Sequence, residues 1–187
     1  MKAQRRALFL DRDGVINVDH GYVCRREVFE FVDGIFDLCR RATDLDYLIF
    51  VITNQAGIGR GYFTEQQFHD LTEWMRAEFL ARQVKIAGVY FCPFHPEYGV
   101  GDYKRESDFR KPGPGMILQA AREHALDLAQ SVLLGDKESD IAAGVAAGVG
   151  RNVLYRPNGI PQISPEAVVV SSLLDAGKYL LSERLPQ

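Results

Sequence analysis

The chain has 187 residues, 47% hydrophobic and 25% charged, with a formal net charge of −3. That balance predicts one compact domain spanning 1–187, with a proper core and little room for a second domain. Both charge signs are mixed along the chain with no long basic run, which gives no electrostatic case for a nucleic-acid or anionic-membrane partner, and no apolar stretch approaches the ~20 residues needed to cross a bilayer.

The first apolar run, Ala7–Leu10, reads as a strand; it is too short for a signal peptide and ends in acids. A helix is expected over Ile35–Thr43 and a strand over Leu48–Ile52. Helix Thr64–Arg82 carries the clearest signal: Phe68, Leu71, Met75 and Phe79 recur at helical spacing, and Thr64 with Gln67 fits a capping box. There follow strand Val89–Cys92, helix Gly115–His124, strand Val132–Leu134, helix Ser139–Ala147, strands Asn152–Tyr155 and Val168–Val170, and helix Leu173–Ser182 before a polar tail, Glu183 to Gln187, expected to fray. Most of the strands are continuous apolar runs rather than alternating ones, as for strands buried on both faces. Alternating strands and helices predict a Rossmann-like α/β fold, a parallel sheet with helices on both faces and no large cap domain. The Pro/Gly-rich stretch Pro93 to Pro114 is the longest irregular segment, and loops of that length are usually functional or mobile. Cys24, Cys39 and Cys92 are odd in number and scattered, which argues against a disulfide framework and predicts a reducing cytoplasm.

In such sheets ligands bind beyond the carboxyl ends of the strands. Four motifs fall there or open a helix: Asp11-Arg12-Asp13-Gly14, Thr53-Asn54-Gln55, Lys111-Pro112 and Gly135-Asp136-Lys137. Together they suit phosphoryl transfer. A phosphomonoester dianion repels a carboxylate nucleophile, so a hard cation such as Mg²⁺ must first neutralise it, held by Asp11, Asp136 and the backbone carbonyl of Asp13. Asp11 would attack phosphorus, and Asp13, two residues on and on the same side of an extended chain, would protonate the leaving alkoxide. That role requires a protonated Asp13, so nearby negative charge or burial is expected to raise its pKa. Thr53 and Lys111 would hold the phosphoryl oxygens, and Gly14 would let the backbone approach closely.

Each motif alone has a plainer reading. Asp-x-Asp-Gly is a common turn, Thr53 a cap, Lys111 a surface lysine and Asp140 a solvated helix acid; their joint occurrence in order favours the site. Gly57, Gly59 and Gly61 lack the Lys-Ser/Thr of a P-loop and read as a flexible turn.

The four motifs resemble the haloacid dehalogenase superfamily of phosphatases over nearly the whole chain. Within it, Leu10 to Tyr22, Thr53 to Ile58, Arg110-Lys111-Pro112 and Gly135-Asp136-Lys137 are similar to the heptose bisphosphate phosphatase family, and in part to the histidinol-phosphate phosphatases. The resemblance implies Asp11 as nucleophile, Asp13 as general acid/base, Mg²⁺ on Asp11, Asp13 and Asp136, and phosphoryl stabilisation by Thr53 and Lys111. It implies substrate recognition by Asp19, His20, Gly21, Tyr22, Asn54, Gln55, Ala56, Arg110 and Lys137, with Arg110 and Lys137 suited to a second, distal phosphate. The expected role is a cytoplasmic sugar bisphosphate phosphatase of surface-polysaccharide synthesis, active as a monomer. The alternatives are another small-metabolite phosphatase or a phospho-accepting receiver domain. The chain departs from the family at its structural zinc. Where a Cys-x-His and a Cys-x-Cys pair are common, it has Cys92-Pro93-Phe94, with His95 one place late, and Ser107-Asp108-Phe109. Four zinc ligands cannot be assembled from these, so structural zinc is expected to be absent and Phe94 and Phe109 to pack together instead.

Overall fold

A computed structural model describes residues 5–159, 162–163 and 166–180. Its strands are β1 (Ala7–Leu10), β2 (Leu48–Asn54), β3 (Ile86–Cys92), β4 (Val132–Gly135), β5 (Arg151–Tyr155), β6 (Gln162–Ile163) and β7 (Val168–Val170). Its helices are α1 (Ile35–Asp44), α2 (Ala56–Gly59), α3 (Glu65–Leu80), α4 (Gly115–His124), α5 (Glu138–Ala147) and α6 (Leu173–Ala176). Among the described residues the strands form one sheet in the order β3-β2-β1-β4-β5-β7-β6. All pairings are parallel except β6 with β7, at the edge.

Because successive strand residues face opposite sides, β1 feeds two cores. Leu8 and Leu10 join Ile49, Val51 and Leu134 under α1 and α3, where Leu38, Met75 and Phe79 complete the cluster. Ala7 and Phe9 join Phe50, Ile52 and Leu133 under α4 and α5, with Met116, Ile117 and Ile141. Each of these Leu, Ile, Val, Phe and Met side chains contributes about 1.5–3 kcal/mol when fully buried. The central strands are therefore fixed on both faces, and so is the edge of the sheet where they end.

The expected elements are present, with informative differences. α3 begins at Thr64 with the capping box complete: Thr64 Oγ1 accepts from Gln67 N at 3.1 Å and Gln67 Oε1 from Thr64 N at 2.8 Å. β3 starts three residues earlier than expected, because Gly88, which breaks the apolar run, packs against the Phe50 ring. The helix expected over Leu173–Ser182 runs only to Ala176 and tightens to a 3₁₀ turn over Gly177–Tyr179. Glycine costs about 1 kcal/mol relative to alanine inside an α-helix, and the tightening begins at Gly177. Ser182 and the tail lie outside the described residues. The glycines Gly57, Gly59 and Gly61 do not make a loose turn. Gly57 and Gly59 are buried in α2, and a Cβ at Gly59 would stand 2.3 Å from the Pro93 carbonyl oxygen.

Candidate active site

β1 and β4 are neighbours, and the chain leaves β1 toward β2 on one side and reaches β4 on the other. At this reversal of strand order a crevice opens beyond the strand ends. A pocket of about 470 Å³ lies there, lined by residues of all four sequence motifs, among them Asp11, Asp13, Asn54, Lys111 and Lys137.

Lys111 is the hub. Only 4% exposed, its Nζ lies 2.9 Å from Asp11 Oδ1, 2.6 Å from Asp140 Oδ1 and 3.0 Å from the Ile52 carbonyl oxygen. A surface lysine is thereby excluded. Burial acts against its charge, but Asp11 and Asp140 hold its pKa above the ordinary lysine value. Burial drives the Asp11 carboxyl up to about 7, with Lys111 opposing and the Asp140 charge adding to the rise. Asp136 is raised too, chiefly by burial. Asp140 is the residue the sequence reading undervalued. It is 1% exposed rather than solvated, and its Oδ2 accepts from the backbone N–H of Asp136 (3.1 Å) and Lys137 (2.9 Å). Its position three residues past Lys137, at the opening of a helix, is the capping signal that could have revealed it.

Carboxylate oxygens of Asp11, Asp136 and Asp140 lie within 4.8 Å of one another. Asp136 Oδ1 is buried without a hydrogen-bond partner, an expensive state for a carboxylate oxygen unless a cation takes it. Three hard oxygen donors around one lysine fit a divalent cation such as Mg²⁺. Gly14 makes the cluster possible: at φ +99° its missing Cβ would stand 2.3 Å from Asp136 Oδ2.

Hydrogen-bond donors surround Asp13. Arg12 forks onto it through Nε (3.2 Å) and Nη2 (2.9 Å), Asn17 Nδ2 reaches Oδ1 at 3.1 Å and Gln55 Nε2 reaches Oδ2 at 2.9 Å. Asp11 is crowded by acids, with Asp140 and then Asp13 adding to the rise that burial causes. Arg12 and Asn17 were missed because both are fully buried by a turn the linear pattern does not show. Thr53 lies 1% exposed, its Oγ1 accepting from Gln55 Nε2 at 2.8 Å.

The expected recognition residues divide. Asp19, Gly21, Tyr22, Asn54, Gln55, Ala56, Arg110 and Lys137 line the pocket. His20 does not line it; its Nε2 turns to Glu30 at 3.2 Å in solvent. The Asn54 amide is spent on backbone, accepting from Lys111 N at 3.0 Å and donating to Lys111 O at 3.1 Å. Lys137 Nζ pairs with Asp19 at 3.2 Å. Burial opposes it, yet the Gly21 N–H and Lys137 hold the Asp19 carboxyl below its usual range. Phe94 and Phe109 do not pack together. Phe94 faces Tyr103 (6.0 Å between centroids) with the Arg105 guanidinium 3.8 Å above its ring, while Phe109 packs on the Met116–Ile117 cluster. The two rings lie near opposite ends of the loop, and each finds a nearer apolar surface. Cys92 is buried at its strand end, its Sγ 3.9 Å from the Phe94 carbonyl oxygen.

A parallel α/β sheet with a carboxylate, a lysine and a second pair of acids at its switch point defines the haloacid dehalogenase (HAD)-like hydrolases, and a family profile described as HAD-hydrolase-like matches residues 108–160. Among curated relatives, the D-glycero-alpha-D-manno-heptose-1,7-bisphosphate 7-phosphatase of Burkholderia mallei is 55% identical over 89% of this chain and 88% of its own length. The D-glycero-beta-D-manno-heptose-1,7-bisphosphate 7-phosphatase of Escherichia coli K12 is 46% identical over 96% of each. Among solved structures, D,D-heptose 1,7-bisphosphate phosphatase from B. bronchiseptica, complexed with magnesium and phosphate, superposes with a TM-score of 0.79 at 25% identity, covering 94% of this chain and 97% of that one. The chain belongs to the heptose 1,7-bisphosphate 7-phosphatase family of HAD-like phosphatases.

Proposed function

We propose that this protein hydrolyses the 7-phosphate of D-glycero-D-manno-heptose 1,7-bisphosphate. The observation that carries the reading is the buried Asp11–Lys111–Asp140 set, with Asp136 beside it, at the floor of a pocket rimmed by Arg110 and Lys137. Asp11 and Asp136, with Asp140, would hold Mg²⁺, whose charge when bound offsets that of the phosphoryl group. Lys111 both fixes the Asp11 carboxylate and offers N–H to an equatorial phosphoryl oxygen. Asp11 attacks phosphorus, the P–O bond to the sugar breaks, and an aspartyl-phosphate forms. Asp13 gives a proton to the leaving alkoxide oxygen and then takes one from the water that attacks the aspartyl-phosphate, releasing inorganic phosphate. Arg12, Asn17 and Gln55 aim its carboxyl and hold it when ionised. Thr53, bridged to Asp13 through Gln55, completes the phosphoryl cradle. Arg110 and Lys137 are the cations available to a distal phosphate.

Lys111, from the loop before α4, and Asp140, from α5, meet Asp11 at the end of β1 in the one sheet, which supports reading 1–187 as a single phosphatase domain, and we take it to work as a monomer. Among the described residues no helix is long and apolar enough to cross a membrane. A cytoplasmic step in surface-polysaccharide synthesis fits the substrate. We also take the 93–110 loop to be held without zinc. Phe94 and Phe109 are committed to apolar contacts, Ser107 is neutral, and His95 Nδ1 already accepts from the N–H of Glu97 and Tyr98, each at 3.2 Å. Elemental analysis giving one zinc per chain would overturn that.

The test is phosphate release from both anomers of the heptose bisphosphate and from histidinol phosphate, with Mg²⁺ and with chelator. Preference for a heptose bisphosphate, loss with chelator, and a fall of at least about 10³-fold in Asp11→Asn are expected, since the nucleophile is removed. Preference for histidinol phosphate, or undiminished turnover by folded Asp11→Asn, would refute the reading.

A further inference from the structure

Arg60 lies outside the pocket lining, yet three loops converge on it. Its Nη1 donates to the Tyr22 hydroxyl at 2.6 Å. Its guanidinium stands 5.7 Å from the Tyr22 ring centroid, 5.2 Å from Tyr62 and 4.7 Å from Tyr98. These rings are 46%, 56% and 54% exposed, unusual for large aromatics brought together on one side chain.

Tyr22 is the member that reaches the pocket. It is also held under strain: φ is +53°, left-handed for a residue with a bulky side chain, directly after Gly21 at φ +76°. Such a conformation costs about 1–3 kcal/mol and persists only where the surroundings over-determine it. Here they do. The ring makes an edge contact with Tyr62 (4.7 Å, 82°) and lies where a Cβ on Gly57 would stand 2.8 Å from Cδ1. The other end of the same segment is tied by Asp19 to Lys137. Accepting from a guanidinium polarises the phenol, so its own O–H becomes a better donor. An aromatic face with one strengthened O–H suits a polyhydroxylated carbon chain: C–H groups against the ring, a hydroxyl on the oxygen.

We propose that Arg60 is a positioning residue that clamps Tyr22 as the sugar-facing wall of the pocket, so that the wall, and not the phosphoryl cradle, depends on it. The inference rests on the proposed sugar-phosphatase activity and concerns the part of the substrate beyond the reacting phosphate.

The test compares wild type, Arg60→Ala, Arg60→Lys and Tyr22→Phe on heptose bisphosphate and on p-nitrophenyl phosphate, which lacks a polyol. The readout is the ratio of the two kcat/KM values, with KM and kcat separated. For Arg60→Ala the ratio falls about tenfold, through KM for the sugar, the loss of one charge-assisted hydrogen bond. Tyr22→Phe, which keeps the ring, reproduces most of that rise in KM, and Arg60→Lys restores part of it. A ratio unchanged in Arg60→Ala, or a fall confined to kcat, overturns the proposal. Should wild type fail to prefer the heptose substrate, the functional reading fails by itself, and the ratio is then taken with the sugar phosphate turned over fastest, where the same outcomes decide the clamp.

Discussion

Asp140 performs two separable tasks, and two substitutions divide them. Asp140→Asn keeps an oxygen where Oδ2 now accepts the Asp136 and Lys137 N–H, but removes the charge opposite Lys111 at 2.6 Å. Lys111 retains Asp11 at 2.9 Å and the Ile52 carbonyl at 3.0 Å, and Asp11 is relieved of a like charge. These effects oppose, so a net cost of about 1–2 kcal/mol is expected, well short of the 3–5 typical of a broken buried pair. Asp140→Ala leaves the same lysine and also strands two N–H groups at the start of α5. At about 1 kcal/mol or more for each unmet donor, the total rises to about 3–5 kcal/mol. Urea unfolding with chelator present measures both; the midpoint should fall in the order wild type, Asn, Ala at constant m. If Asn and Ala are equally stable to within about 0.5 kcal/mol, the backbone bonds are not what Asp140 contributes and the argument fails.

Gly14→Ala forces a side chain into a left-handed φ and onto Asp136, so Mg²⁺ affinity should fall at least about tenfold while Mg²⁺-free stability falls by about 1–3 kcal/mol; isothermal titration showing wild-type affinity would refute it. The pKa of Asp11 is raised on folding, from 3.8 to about 7. The folded chain therefore keeps a proton the unfolded chain gives up, and this contribution to stability is full below about pH 4 and lost as pH rises through about 7. Metal-free unfolding should show that downward slope in wild type and not in Asp11→Asn; matching slopes would assign it elsewhere. Thr64→Ala removes the capping box of α3 and should cost about 1 kcal/mol without altering kcat, read from melting and turnover together.

Most of the frame was legible because it rests on local signals. Continuous apolar runs located β1, β2, β4 and β5, and the Thr64–Gln67 pair fixed the start of α3 to the residue. Residues of the four motifs converge because each directly follows a strand or opens a helix. What escaped was decided by contacts distant in sequence. Arg12 looks like a spacer between two aspartates until the turn after β1 folds it inward onto Asp13 and the Val23 carbonyl. Asp140 looks solvated until Lys111, 29 positions earlier in the chain, is brought to it. Asn54 and Gln55 read as free amides for a ligand, yet both bond protein atoms. β6 is two residues long and, among the described residues, paired only with β7, too short for any pattern to register.

The Asn54 side chain has an implication for how such a fold can diverge. Its amide mimics a strand partner for the Lys111 backbone, and Gln55 N meets the Cys92 carbonyl at 2.8 Å, so both ends of the long segment between them are moored to β2. At the lysine end the tie extends further, since the Asp108 and Arg110 carbonyls accept from the Gly115 and Gly113 N–H just beyond Lys111. Insertions, deletions or a traded metal site in the part of the interval before Asp108 would leave these ties to the lysine in place, so selectivity could drift while catalysis stays put.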